Sequence, residues 1–204
     1  MNKWDIFFKE KIIKIFTDKK TIIDIGGGLR ILKNKGNRYD PSREWVRPFL
    51  NKVQYKIMDP SADYSPDIIG DIHNLPFENN SQDAIICLAV LEHVEDPKKA
   101  IQEIYRVLKI DGYCFIYAPF LFYYHAEKGY YKDYWRFTKD GLELLFKDFS
   151  QIEMEPVRGR LGTWLHLSPF GRVKLFAKLA DWLDAITNGF NSRQVSGYNV
   201  FLVK

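Results

Sequence analysis

The chain has 204 residues, 46% hydrophobic and 27% charged, with a formal net charge of +4. That length and balance describe one globular domain able to bury a core, and they exclude a disordered or fibrous chain. The charge is too modest to call for nucleic acid; there is no RNA-binding motif and no basic tail. Aromatics are plentiful, with 15 Phe, 12 Tyr and 5 Trp, enough to line a site or an interface as well as a core. The two cysteines, Cys87 and Cys114, fall inside predicted strands. Free thiols in a reducing, cytoplasmic setting suit them better than a disulfide. No stretch approaches the roughly 20 apolar residues that span a bilayer, and the N-terminus lacks a signal-peptide pattern.

Residues 3–18 read as an amphipathic helix, with Trp4, Phe8, Ile12, Ile15 and Phe16 near one face. It packs on a sheet or covers a site. A short β-branched run, Thr21-Ile22-Ile23-Asp24-Ile25, then meets Gly26-Gly27-Gly28. This is a buried first strand ending in a turn whose glycines accept positive φ and leave no Cβ between backbone and a ligand. A plain strand-to-turn junction would also use glycine. A dinucleotide fingerprint requires a further Gly three residues after Gly28, and that position is Ile31.

The basic segment that follows contains Arg30, Lys33, Lys35, Arg38 and Arg43, which face either an anionic substrate or solvent. Asp40-Pro41 starts a helix to about Leu50, with Pro48 shortening it. Tyr55 to Asp59 forms a second strand ending in an acid before Pro60, where nucleotide-binding α/β folds hold ribose hydroxyls. Ile68 to Gly70 is a short third strand leading to Asp71-Ile72. Asp83 to Leu88 is an apolar, centrally placed fourth strand running into Leu91-Glu92-His93-Val94. Asp96-Pro97 opens a helix, Gly112 ends that connection, and Tyr113 to Tyr117 form a fifth strand.

The ordered set of Asp24, Gly26, Gly28, Asp59 and Asp71, with the run SQDAIICLAVLEHVEDPKKAIQEIYRVLKIDGYCFIYAP, resembles the class I S-adenosylmethionine (AdoMet) dependent methyltransferases, in particular the ubiquinone and menaquinone methylating group. The usual first motif, acid-x-Gly-x-Gly-x-Gly, departs here at Arg30. The resemblance covers about residues 21–119. It implies a Rossmann-like, doubly wound α/β fold: seven strands, mostly parallel, the last antiparallel, with helices on both faces. It further implies AdoMet as cofactor, contacted by Asp24, Gly26, Gly27, Gly28, Asp59, Pro60, Asp71, Ile72 and Leu88.

Residues 120–138 leave strand five where substrate must sit and read as a lid, with Tyr124, Tyr134 and Arg136 as substrate contacts; the latter two could instead fasten the lid. The string DYWRFT resembles a subgroup encoded among glycan-synthesis genes, which points to sugar-like acceptors. His125, then His93, with Glu92 beside them, are the candidate proton acceptors; His93 could alternatively stabilise the loop after strand four. No metal site is expected, because the four histidines are dispersed in sequence and no Cys-x-x-Cys occurs. Thr138 caps a helix, residues 150–157 form a strand, 158–160 a loop, 170–186 a core-packing or membrane-surface helix, and 197–203 the closing strand.

The expectation is a single methyltransferase domain over 1–204, with 1–20 as its N-terminal helix. It acts on a small-molecule acceptor, sugar-containing or lipid-linked; peripheral membrane contact is open and the oligomeric state unspecified. The alternative is a non-catalytic AdoMet-binding or partner subunit that keeps the fold.

Overall fold

A computed structural model describes residues 2–36, 38–171 and 173–204. Helix α1 spans Lys3–Asp18 and buries Ile12, Ile15 and Phe16, the apolar positions at helical spacing. Each such burial contributes roughly 1.5–3 kcal/mol. Strand β1 follows at Thr21–Ile25. Asp40 accepts from Ser42 N and starts a tight helical turn over Pro41–Val46, which passes into the short helix α2, Arg47–Leu50. Strands β2 (Gln54–Asp59), β3 (Ile68–Ile69) and β4 (Gln82–Leu88) come next. Helix α3 covers Pro97–Val107, its N-terminus capped by Asp96 accepting from Lys99 N, and β5 runs Leu108–Pro119. Helix α4 (Lys139–Leu145) is capped by Thr138, and β6 (Gln151–Val157), α5 (Arg160–Leu167), α6 (Lys174–Ile186) and β7 (Gly197–Val203) complete the order.

The sheet order is β3-β2-β1-β4-β5-β7-β6. Strands β1 to β5 pair in parallel, and β7 lies antiparallel between β5 and β6. Alternation along each central strand divides the core. Ile23, Ile25, Ile85 and Cys87 pack toward α3 and α4, whereas Ile22, Ala84, Ile86 and Leu88 pack toward α1 and α2. A sheet covered on both faces explains why Ala84 to Leu88 of β4 read as an unbroken apolar run. The chain order reverses at β1, between β2 and β4, so the carboxyl ends of those strands flank the crevice where open α/β sheets bind ligands.

Three local expectations are corrected. Gly112 does not end the connection: β5 already pairs through Leu108 with Gln82, the ladder shifts register, and the left-handed residue is Asp111 at φ 58°. Gly112 is needed instead because a Cβ there would lie 2.7 Å from the Lys109 carbonyl oxygen. Residues 160–167, expected to begin as loop, form α5; buried Asp184 accepts from Leu161 N and Gly162 N at 2.9 and 2.8 Å, satisfying amides at the helix N-terminus. Sequence pattern shows only Gly-Arg there, because the capping carboxylate comes from another helix. Finally, α6 is not a core helix. Ala180 and Asp184 are buried, but Leu175 (71% exposed), Phe176, Leu179, Trp182 and Ile186 face outward, as do Trp164 and Leu167 of α5. Among the described residues no helix is long and apolar enough to cross a membrane.

Candidate active site

The glycine loop is held from below by Asp24. Its buried carboxylate accepts from Gly28 N (3.1 Å), Leu29 N (3.0 Å) and the Tyr55 hydroxyl (2.5 Å). Burial pushes its pKa up to about 6 against the pull of those three donors. Asp24 thus shapes the loop rather than lining the ligand space, as does Gly27 at φ 59°. Gly26, at φ 76°, accepts no side chain: a Cβ would lie 2.7 Å from Val90 Cγ2. Gly28 is tighter, its Cβ falling 2.6 Å from Leu88 Cβ and 2.8 Å from the Leu88 carbonyl oxygen. Arg30, where the motif departs from glycine, still adopts left-handed backbone at φ 56°. The conformation glycine would supply is kept, at roughly 1–2 kcal/mol, and a guanidinium is gained in the site wall.

Above β1, β2 and β4 lies a cavity of about 1040 Å³ lined by Gly26, Asp59, Pro60, Asp71, Ile72 and Leu88 together with Met58, Val90 and His93. Asp59 is buried; one carboxylate oxygen accepts from Ser61 N at 2.8 Å, and burial raises its pKa. Asp71 is engaged by His73, through backbone N at 2.9 Å and Nδ1 at 2.7 Å. An adenosyl group fits this arrangement. Asp59 retains acceptor capacity for ribose hydroxyls, the loop admits close backbone approach, and Ile72, Leu88 and Val90 supply apolar walls for a neutral base.

A second cavity, about 960 Å³, opens on the other side of Leu88 and Ala89. Trp4, Phe8 and Lys9 of α1 line it, as do Arg30, Arg38, Arg43, Trp45, Phe122, Tyr123, Arg158 and His166. So α1 both packs on the sheet and covers the site. Of the basic cluster, Lys35 pairs with Asp67 and Lys33 lies over Tyr39, while the three arginines reach the cavity. Arg43 stacks 4.0 Å over the Phe8 ring, and its Nη1 is buried without a hydrogen-bond partner. Arg158 and His166 follow β6, where the sequence shows no signal beyond an Arg-Gly-Arg loop. Arg30, Leu88, Ala89, His125, Ala126, Glu127 and Tyr131 border both cavities.

Residues 120–138 form a strap across this junction. Tyr134 N and Trp135 N both donate to the Glu92 carbonyl, at 2.7 and 3.1 Å, and Trp135 Nε1 donates to the Val94 carbonyl at 2.9 Å. Arg136 is occupied by Asp133, at 2.6 and 2.7 Å, and by the carbonyls of Phe122, Tyr123 and Trp135. It lines neither cavity, so the expected substrate contact is corrected to a fastener. The guanidinium in turn holds the Asp133 carboxyl down to about 2. Tyr134 lines the cofactor cavity and donates its hydroxyl to Glu95, while Tyr124 stands exposed at the rim.

Dispersal of the histidines in sequence does not survive folding. The strap sets the His125 ring 4.8 Å from that of His93, and both face Glu92, whose Oε1 is 3.6 Å from His125 Nε2 and 3.9 Å from His93 Nε2. Glu92 is fully buried. Its proximity raises the His125 pKa.

Comparison with known proteins agrees with this geometry. The family described as a methyltransferase domain matches residues 38–116. The chain is 28% identical over 103 residues to 2-methyl-6-phytyl-1,4-hydroquinone methyltransferase 1 of Oryza sativa subsp. japonica, a match covering 48% of this chain and 30% of the relative. It is 30% identical over 132 residues to the tRNA U34 carboxymethyltransferase of Campylobacter hominis, covering 59% and 44%. The chain therefore spans less than half the length of these curated relatives. A methyltransferase structure from Archaeoglobus fulgidus superimposes with a TM-score of 0.60 at 12% identity, over 96% of this chain and 90% of the other, which shows a shared fold. Sheet order, glycine loop and the family match over residues 38–116 agree in likening the chain to the class I AdoMet-dependent methyltransferases.

Proposed function

We propose that the protein transfers the methyl group of AdoMet to a small, hydroxyl-rich acceptor of sugar-containing or lipid-linked type. The observation that carries this reading is the pair of cavities meeting at Leu88, Ala89 and His125. The cofactor supplies a methyl group already activated by its sulfonium, so this chain's residues mainly bind, align and exclude water. Asp59 accepts from the ribose hydroxyls, Gly26 and Pro60 admit the ligand backbone, and Asp71 with Ile72 faces the base. On the acceptor side, Trp4, Phe8, Trp45 and Phe122 offer ring faces to sugar C–H groups, while Arg30, Arg43 and Asp40 offer partners to hydroxyls. His125, at the junction and backed by Glu92, is placed to take an acceptor proton, with His93 behind it.

Calorimetric titration with AdoMet and S-adenosylhomocysteine, with NAD as control, tests the cofactor half: selective saturable binding of the first two is expected, and equal binding of NAD or none of the three overturns it. A rival reading, a partner subunit that keeps the cofactor site without chemistry, draws on the irregular described residues 31–36 and 38–40, where these folds would place a regular helix. Methyl transfer that is lost in Arg136→Ala while AdoMet still binds excludes that rival.

The lipid-linked form is supported by the outward apolar surface of α5 and α6, since α5 also lends His166 to the acceptor cavity. Flotation with anionic vesicles should carry the wild-type protein and leave Trp182→Glu behind; equal flotation of the two removes the lipid element. The buried, unbonded thiols Cys87 and Cys114 support a reducing, cytoplasmic setting.

A further inference from the structure

Glu92 presents a problem that the methyl-transfer reading leaves unsolved. Its side chain is fully buried, and neither carboxylate oxygen has a hydrogen-bond partner. A buried carboxylate without donors is costly, and sites that tolerate one pair it with a cation. The two groups aimed at it are the Nε2 atoms of His93 and His125.

The opposite ring nitrogens decide what those Nε2 atoms offer. His93 Nδ1 lies 2.7 Å from the Lys132 carbonyl oxygen, and His125 Nδ1 lies 3.1 Å from the Tyr123 carbonyl oxygen and 3.3 Å from Asp133 Oδ2. A carbonyl oxygen only accepts, so each Nδ1 carries a proton, and a metal ion that displaces any proton from Nε2 meets a lone pair turned toward Glu92. Oxygen acceptors behind metal-binding histidines fix tautomer and ring orientation in this same way. Two imidazole lone pairs and one carboxylate oxygen converge, all within 4.8 Å of one another. Ligand atoms at about 2.0–2.2 Å around a tetrahedral ion lie about 3.4 Å apart. Glu92 to His125 at 3.6 Å and Glu92 to His93 at 3.9 Å are close to that spacing, and rotation of the two rings toward Glu92 closes the set.

We propose that Glu92, His93 and His125 form a site for one divalent transition-metal ion, of which zinc is the best match to two imidazoles and a carboxylate. Three protein ligands leave a coordination position open. The site lies between the cavities: Glu92 borders the acceptor space, His93 the cofactor space, and His125 both. An acceptor oxygen, hydroxyl or phenol, completes the coordination, and its binding there lowers the pKa of the hydroxyl while setting its position, so that in the metal-loaded site the ion replaces His125 as the activating group. This acceptor role rests on the proposed methyl transfer; the ion site itself does not. The strap assembles the site, because the bonds from Tyr134 N and Trp135 N to Glu92 O fix the segment that carries His125.

The test uses the full-length chain, stripped with chelator and titrated with zinc chloride, with metal content measured after desalting. One equivalent per chain is expected, and cobalt loaded in its place should give the visible bands of a low-coordinate Co(II) centre with nitrogen ligands. Glu92→Gln, His93→Gln and His125→Gln should each weaken zinc binding by roughly 100-fold or more, beyond the 10–100-fold cost of losing an outer partner. Melting curves and AdoMet titrations accompany every variant. Absence of stoichiometric zinc binding by the wild-type chain, or cobalt spectra without ligand-field bands from such a centre, overturns the proposal and leaves a Glu92–His125 ion pair. Zinc bound without any AdoMet affinity keeps the metal site and defeats the methyl-transfer reading instead.

Discussion

The cofactor cavity and the acceptor cavity share a wall but are built by different means. The floor of the first is the carboxyl ends of β1, β2 and β4, which parallel pairing fixes relative to one another, with Tyr124 to Lys132 and Tyr134 of the strap across it. Segments far apart in the chain wall the second: α1, the loop around Arg43, the strap, and α5. A sheet end is positioned by backbone ladders and tolerates little change, whereas a composite wall is positioned by side chains and can be altered piece by piece. This difference teaches where specificity resides: the cofactor side is set by topology, the acceptor side by individual residues.

The contrast can be broken or sharpened by substitution. The largest effect is expected from Gly28→Ala, which damages the shared wall. Its new Cβ would meet the Leu88 backbone, which cannot yield as a side-chain tip could. Overpacking of this kind costs about 1–3 kcal/mol, and AdoMet affinity should fall by at least ~100-fold; unchanged calorimetric affinity would refute the close approach. Next is the pH response of the loop's support. The folded-state pKa of Asp24 is raised from 3.8 to about 6, so the folded state holds a proton that the unfolded state has released in that window. Stability should therefore decline as pH rises from about 4 to 6 and level off above, by an amount on the order of 3 kcal/mol. Denaturant unfolding across that range checks it, with Asp24→Asn expected to lack the slope.

Asp59→Ala acts on the cofactor side alone. Removing the ribose acceptor should weaken AdoMet binding by about 10–100-fold, while stability holds or rises because a buried carboxylate with one partner is gone. A melting temperature that falls in step with affinity would mean Asp59 is structural. The smallest effect belongs to the acceptor side. Arg30→Gly relieves the left-handed strain and should raise stability by about 0.5–1 kcal/mol, with AdoMet affinity kept and acceptor KM increased. Reduced AdoMet affinity in this variant would mean that the guanidinium, which borders both cavities, serves the cofactor as well.

Much of the cofactor side is legible in the sequence because its signals are local. A β-branched run, an acid and glycines mark β1 and its loop; Asp59 and Asp71 sit at strand tips; Asp40, Asp96 and Thr138 announce helix starts that the structure realises as side-chain caps. Each depends on φ, ψ or hydrogen bonds within a few residues, so the chain alone determines them. The acceptor side depended on contacts made at a distance. Only the fold brings His125 across 32 positions to His93 and Glu92, supplies Asp184 as the cap of α5, assigns Arg136 to the strap instead of the substrate, and turns the apolar face of α6 to the surface. Helical periodicity records that a face is apolar; it does not record what, if anything, covers it. Tertiary structure alone decides that, because burial is a property of what packs against a residue and not of the residue.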